Sequence, residues 1–348
     1  MNNFKNNVNN IYFKNANSLL ISNNSKDANP LISSLSGKSK IENYVAIILA
    51  YYDGHLFIKD QLHSIFEQSH KALHVFLCDD QSKKPFSLDN LQLDSKQLSK
   101  LSFTTHSQNI GPTKNFLNPL ENITEKFDYF AFSDQDDIWH EDKIEKAIAK
   151  LSKVPRNTPA LYCARTEIVD VSAKNILRNS PLFSRPPSFE NALVQSIGGG
   201  NTMVFNRVAK NLITDSSLNL DVLYHDWWIY QIISGVGGYI FCDPEPCLKY
   251  RQHNLNIAGS NNSLRARLIR IRKLLQGHFR KWCDINIKAL LKNKHLLTDS
   301  NQKVLDDFIK ARQSNLFKRL YFFKRSGIYR QTLFGNLGLI IGIILNKI

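Results

Sequence analysis

The sequence predicts an α/β protein with a mainly parallel central sheet, followed by a basic, α-helical C-terminal region. Three observations predict it. Apolar runs at 44–50, 72–78 and 127–132 have the length and composition of strands covered on both faces. Segments of helical spacing, such as 56–66, lie between strands, the alternation that builds parallel sheets. From Leu264 onward that alternation gives way to helical spacing rich in Arg and Lys.

The elements follow in order. Residues 1–43 are rich in Asn, Ser and Lys, with 11 Asn among the first 29, and read as a poorly ordered leader bearing a short helix over 11–20. The first strand, 44–50, runs into a turn at Tyr51, Tyr52, Asp53 and Gly54, and a helix follows. A second strand, 72–78, ends in Asp79 and Asp80. A short strand over 101–105 precedes a loop with Asn109 and Gly111 that enters a helix. The fourth strand ends in Asp134, Asp136 and Asp137, with a helix expected over 138–151. Further on come a strand at 160–164, a glycine run at 198–200, a helix over 227–233 preceded by His225 and Asp226, and a strand at 238–241. The composition shift places a boundary near 260, giving a leader (1–43), an α/β domain (44–260) and a basic amphipathic helical region (261–348).

The net charge of +15 over 348 residues is local. Residues 263–348 hold 19 Lys+Arg against 4 Asp+Glu, which leaves 26 of each in 1–262. A neutral main body argues against a nucleic-acid binder. The five cysteines are widely spaced and fit no common zinc pattern, so reduced thiols and a cytoplasmic setting are expected. No signal-peptide pattern is seen, and the most apolar stretch, 337–345, is too short to span a bilayer.

In open α/β sheets ligands bind at the carboxyl ends of the strands, and the acidic and glycine-bearing loops converge there. Three carboxylates within four residues repel one another unless a cation compensates them. Asp136 is therefore a candidate ligand for Mg²⁺ or Mn²⁺ bridging a diphosphate; the alternative is a helix start capped by Asp137. Asp80 suits either a hydrogen bond to a nucleotide base or a turn. Asp226 suits a general base with a raised pKa, or an N-cap for the 227–233 helix. Gly198, Gly199 and Gly200 could admit a ligand to the backbone or form a flexible loop. Arg251 and His253 fit a phosphate contact, a metal shell or a structural role. In the tail, Leu316, Phe317, Leu320 and Tyr321 alternate with Lys318, Arg319, Lys324 and Arg325. That pattern suits an anionic membrane surface, packing on the main domain, or an oligomer contact.

Over 44–260 the chain resembles family 2 glycosyltransferases of the GT-A fold, and their rhamnosyltransferase-like members in particular. The resemblance rests on the first strand with its Tyr51-Tyr52-Asp53-Gly54 turn and on Cys78-Asp79-Asp80-Gln81-Ser82. It also rests on the Asp134-Gln135-Asp136 region, His225-Asp226-Trp227-Trp228, and Tyr250-Arg251-Gln252-His253-Asn254. It implies inverting, metal-dependent transfer of a hexosyl-type sugar, such as rhamnose, from a nucleotide-diphosphate donor. The acceptor would be a saccharide or lipid-linked saccharide of bacterial surface polysaccharide, such as lipopolysaccharide. Asp226 would be the catalytic base. Tyr51, Asp53, Asp80, Asn109, Gly111 and Asp134 would bind the donor nucleotide, and Asp136 with His253 the metal. Gly199, Gly200, Asn201 and Trp227 would face the acceptor. The Gln-x-x-Arg-Trp motif of processive members is absent, so single-residue transfer is expected. The implied location is cytoplasmic, peripheral on the inner membrane's cytoplasmic face. A sugar nucleotidyltransferase and a non-catalytic sugar-binding module are the alternatives.

Overall fold

The computed structural model describes residues 43–89, 91–123, 126–217, 220–253, 272 and 274–348. The leader with its expected helix, the boundary near 260 and Asn254 lie outside them. Residues 42–348 form one compact unit.

Nine strands make one sheet in the order β3-β2-β1-β4-β8-β6-β9-β5, with β7 paired to β6. β1 (Val45–Tyr51), β2 (Leu73–Asp79), β3 (Leu101–Thr105) and β4 (Tyr129–Ser133) are parallel. β8 (Val204–Asn206) runs antiparallel between β4 and β6 (Ala160–Val169). β9 (Tyr239–Arg251) pairs parallel with β6, and β7 (Ile176–Asn179) pairs antiparallel with it. Beyond the four-strand parallel half, the antiparallel pairs of β8, β7 and β5 make the sheet mixed.

β1 shows why the sheet needs cover on both faces. Val45, Ile47 and Leu49 belong to one buried cluster, Ala46 and Ile48 to the other. Helix α1 (Ile58–Phe66) and the helix Lys143–Leu151 bury Leu62, Ile65, Ile144 and Leu151 in the first cluster. The helix His225–Gly235 brings Trp228, Ile232 and Ile233 to the second. Four longer helices, His278–Lys292, Asp299–Gln313, Leu316–Ser326 and Leu333–Ile344, complete the described C-terminal region. Cys283, Leu290, Leu305, Phe308 and Ile343 lie in the same cluster as Trp228, so this region shares the core of the sheet. Truncating a residue such as Phe308 to Ala would cost roughly 3–5 kcal/mol. No helix among the described residues is long and apolar enough to cross a membrane.

Two expected elements differ. The helix expected over 138–151 begins only at Lys143, with Asp142 at its N-cap position. Ile138 and Trp139 instead form β5, antiparallel to Leu248 and Lys249 of β9. Asp137 therefore caps no helix. The strand expected to stop at 241 continues to Arg251 through Pro244 and Pro246, which coincide with register shifts against β6. Proline lacks an N–H for the ladder, and a bulge accommodates it.

Candidate active site

The C-terminal ends of β1, β2 and β4 open into a cleft of about 1510 Å³. Its far wall comes from the glycine loop and the start of the helix His225–Gly235. Asp226, Tyr51, Asp53, Asp80, Asn109, Asp134, Asp136, His253, Gly199, Gly200, Asn201 and Trp227 line it. Gly111 borders it through its bond to Asp80, and Arg251 and Asp137 are buried behind its lining.

The loop after β1 is held by the acidic motif. Gln135 Oε1 accepts from Tyr52 N at 2.7 Å, and Gln135 Nε2 donates to Tyr52 O at 3.0 Å. A Cβ on Gly54 would come within 2.2 Å of Gln135 Oε1, so only glycine leaves room for this clasp. Asp53 has φ +49°; its N–H donates to Ser82 Oγ at 2.8 Å and its carboxylate accepts from Lys84 N. Tyr51 is buried edge-on against Phe86. At the end of β2, both oxygens of Asp80 accept backbone N–H groups, from Ile110 at 2.7 Å and Gly111 at 2.9 Å. Asn109 Nδ2 donates back to Asp80 O. Gly111 has φ +82°, a region other residues rarely adopt. Asp80 thus pins the Asn109–Gly111 loop.

Oxygens of Asp134, Asp136 and Asp137 all lie within 4.8 Å of one another, the one such cluster of metal-binding groups among the described residues. Burial pushes the Asp134 carboxyl up to about 7, helped by the charges of Asp136 and Asp226. Burial also raises Asp136, opposed by a 2.8 Å hydrogen bond with His253 Nε2. Asp137 is fully buried and raised well above the ordinary range by burial and its two neighbours. Its Oδ2 accepts from Asn201 Nδ2 at 2.6 Å, and its Oδ1 has no protein partner. The crowded, oxygen-only donor set with one buried oxygen unsatisfied fits a hard divalent cation.

Beside the cluster lies a residue that no sequence pattern singles out. Lys143 is fully buried, donates to Asn201 O at 2.6 Å and sits 3.2 Å from the Trp139 ring centroid. Burial lowers its pKa to about 8, against the pull of Cys247, Asp137 and Asp134. A lysine at the start of an amphipathic helix reads as solvated; only the fold shows it inside. Gln135, within the motif, was equally silent. Arg251 is a buried tie: it donates to Asp136 O, Val171 O and Asp60 Oδ2 at 3.0, 2.7 and 2.9 Å. His253 stacks on Phe57 with ring centroids 4.7 Å apart.

On the far wall, Asp226 is in the first turn of its helix, and the N-cap residue is Tyr224. The N-cap expectation for Asp226 is therefore corrected: its Oδ1 accepts from the adjacent Trp227 N, at 2.7 Å. Burial pushes the Asp226 carboxyl up to about 6, while backbone hydrogen bonds pull it down. His225 is wedged between Phe116 and Phe132, and burial lowers it to about 3, so it stays neutral. A Cβ on Gly200 would meet His225 Nε2 at 2.0 Å, which fixes glycine there. Gly199 accepts from Thr202 through its carbonyl. Asn201 turns its carboxamide inward to Asp137, and Trp227 Nε1 donates to Ala192 O at 2.6 Å. Phe279, Trp282 and Arg330 of the C-terminal region complete the rim.

Residues 46–212 match the model of glycosyl transferase family 2. Those residues are a family 2 glycosyltransferase domain. The chain is 29% identical over 245 residues to the dTDP-rhamnosyl transferase RfbG of Shigella flexneri, covering 67% of this chain and 81% of that protein. It is 31% identical over 104 residues to a putative teichuronic acid biosynthesis glycosyltransferase, TuaG, of Bacillus subtilis, covering 30% and 40% respectively. Among solved structures, S. aureus TarS in complex with UDP-GlcNAc aligns with a TM-score of 0.48 at 14% identity, over 82% of this chain and 93% of that one. The protein is thus a glycosyltransferase, which favours sugar transfer over the nucleotidyltransferase and binding-module alternatives. The family match stops short of Asp226 and His253, so their placement rests on the geometry above.

Proposed function

We propose that this glycosyltransferase moves one sugar, by inversion and with a divalent metal, from a nucleotide-diphosphate donor to an acceptor hydroxyl in surface polysaccharide synthesis. The observation that carries this reading is that Asp226 and the Asp134–Asp136 pair line one cleft, near enough for the Asp226 charge to raise Asp134. A half-buried carboxylate lining the cleft, its pKa raised to about 6, is suited to take a proton from a hydroxyl. The freed oxygen attacks the anomeric carbon on the face opposite the leaving diphosphate, so one displacement inverts that carbon. Asp136 and Asp134 would hold Mg²⁺ or Mn²⁺, with His253 beside Asp136; the ion would neutralise charge on the departing diphosphate. Asp80, Asn109 and Gly111 shape the nucleotide end with Tyr51 and Asp53. Gly199 leaves exposed backbone open toward the acceptor, and Gly200 beside it makes room for His225. Asn201 supports that wall through Asp137, and Trp227 packs behind it.

Rhamnose from a dTDP donor is the first sugar to test, on the strength of the relative named a dTDP-rhamnosyl transferase. A peripheral position on an anionic membrane surface follows from the charge of the C-terminal region. The test is a donor screen that reads nucleoside-diphosphate release. Release that is donor-selective and lost in chelator supports the reading. Release from no donor, or at full rate in chelator, contradicts it.

A further inference from the structure

The helix Leu333–Ile344 carries no charged residue, yet it presents an apolar stripe to solvent. Leu333 is 88% and Phe334 83% exposed, and Leu337, Ile340, Ile341 and Ile344 continue the stripe at helical spacing. Its opposite face, Leu339 and Ile343, belongs to the core. The preceding helix, Leu316–Ser326, adds Phe317 at 83% exposure and Tyr321 beside it. A soluble monomer rarely leaves such a patch uncovered. At 12 residues the helix is about 18 Å long, well short of the ~30 Å hydrocarbon core, so it can lie in an interface but cannot span one.

Charge identifies the surface that would cover it. Lys318 and Lys324 are exposed on the neighbouring helix. Arg319 and Arg325, which the sequence pattern also offered, are committed internally: Arg319 donates to the Ile343 and Ile344 carbonyls, and Arg325 pairs with Asp307. An apolar stripe on a helix packed against one that exposes two lysines, within a segment of 19 Lys+Arg against 4 Asp+Glu, matches a layer that is apolar below and anionic above.

We infer that the Leu333–Ile344 face, with Phe317, docks into an anionic lipid surface, and that the lysines flank the bound phosphates. This deepens the peripheral-membrane part of the proposed function and rests on it for its purpose, not for its evidence. The docking face adjoins the cleft. Three residues before Leu333, Arg330 lines the cleft and donates to Val194 O at 2.8 Å. Gln331 N donates to Gln195 Oε1 at 2.9 Å, tying the same turn to the same wall. A docked helix would therefore bring that rim of the cleft to the lipid surface.

The test is co-sedimentation of the full chain with vesicles of phosphatidylcholine alone or with about one-third phosphatidylglycerol. The wild type should bind the anionic vesicles at least about tenfold better, and Leu333→Ser/Phe334→Ser should weaken that binding by roughly tenfold or more. Lys318→Gln/Lys324→Gln should weaken binding to anionic vesicles alone. Both variants should keep the wild-type melting temperature and rate of nucleoside-diphosphate release. No binding to either vesicle overturns the inference. So does a wild-type dimer in light scattering that Leu333→Ser/Phe334→Ser splits, since a second copy would then be the cover. The vesicle assay contains no sugar nucleotide, so its failure leaves the transfer reading standing, and the reverse holds too.

Discussion

His253 Nε2 lies 2.8 Å from Asp136 Oδ2, joining the residue two beyond β9 to the loop after β4, 117 positions away in the chain. The imidazole is held flat on Phe57, so it aims Asp136 and does not wander. A residue that orients a metal ligand is typically worth 10–100-fold in affinity. His253→Ala should weaken Mn²⁺ binding by about that factor, and Asp136→Ala should abolish it, both measured by calorimetric titration. Unchanged Mn²⁺ affinity in His253→Ala would remove His253 from the site.

Asn201 ties the glycine loop to the acidic motif through Asp137 and to Lys143 through its carbonyl. Asn201→Ala strips a buried carboxyl of its one hydrogen bond among the described residues, a loss of about 1–3 kcal/mol. The variant should melt several degrees lower, read by calorimetry. An unshifted melt would mean the network contributes little to the fold.

The acidic cluster should also make stability depend on pH. In the folded state Asp134 titrates near 7, against 3.8 in the open chain. Between those values the folded state binds more protons than the unfolded one, so metal-free stability falls as pH rises through that window. Asp134→Asn removes the buried charge. In chelator at pH about 8 it should melt a few degrees above wild type, and the two should converge near pH 4. A variant that melts lower at both pH values would contradict the charge assignment.

The rate should follow Asp226. With its carboxyl pushed up to about 6, the base form is lost below that pH. kcat/KM should fall roughly tenfold per pH unit below about 6 and level off above it. A profile flat down to pH about 4.5 would place the base elsewhere.

The parallel half of the sheet and its acidic strand ends were legible because β1, β2 and β4 are continuous apolar runs that stop in charge. β5 was not, because Ile138 and Trp139 are held by Leu248 and Lys249 over a hundred residues away, and helical spacing downstream masked the break. Lys143 was invisible for a related reason: its burial comes from Trp139 and the Asn201 carbonyl, neither a helix neighbour. The full length of β9 was not legible because Pro244 and Pro246 interrupt a ladder, and only the register shifts against β6 absorb them. The alternation of apolar and basic residues in the tail is visible in the sequence. Its division into core, internal ion pairs and exposed stripe required the packing of the last four helices.

In the proposed function, Asp226 deprotonates the acceptor while Asp134 and Asp136 in the same cleft hold the donor through the metal. Asp226→Asn tests it most directly, with donor affinity and transfer rate measured on the same preparation. Transfer should drop by at least about 10²–10⁴-fold with the donor dissociation constant unchanged within about twofold. Lost donor binding with a normal residual rate, or transfer near the wild-type rate, would contradict it.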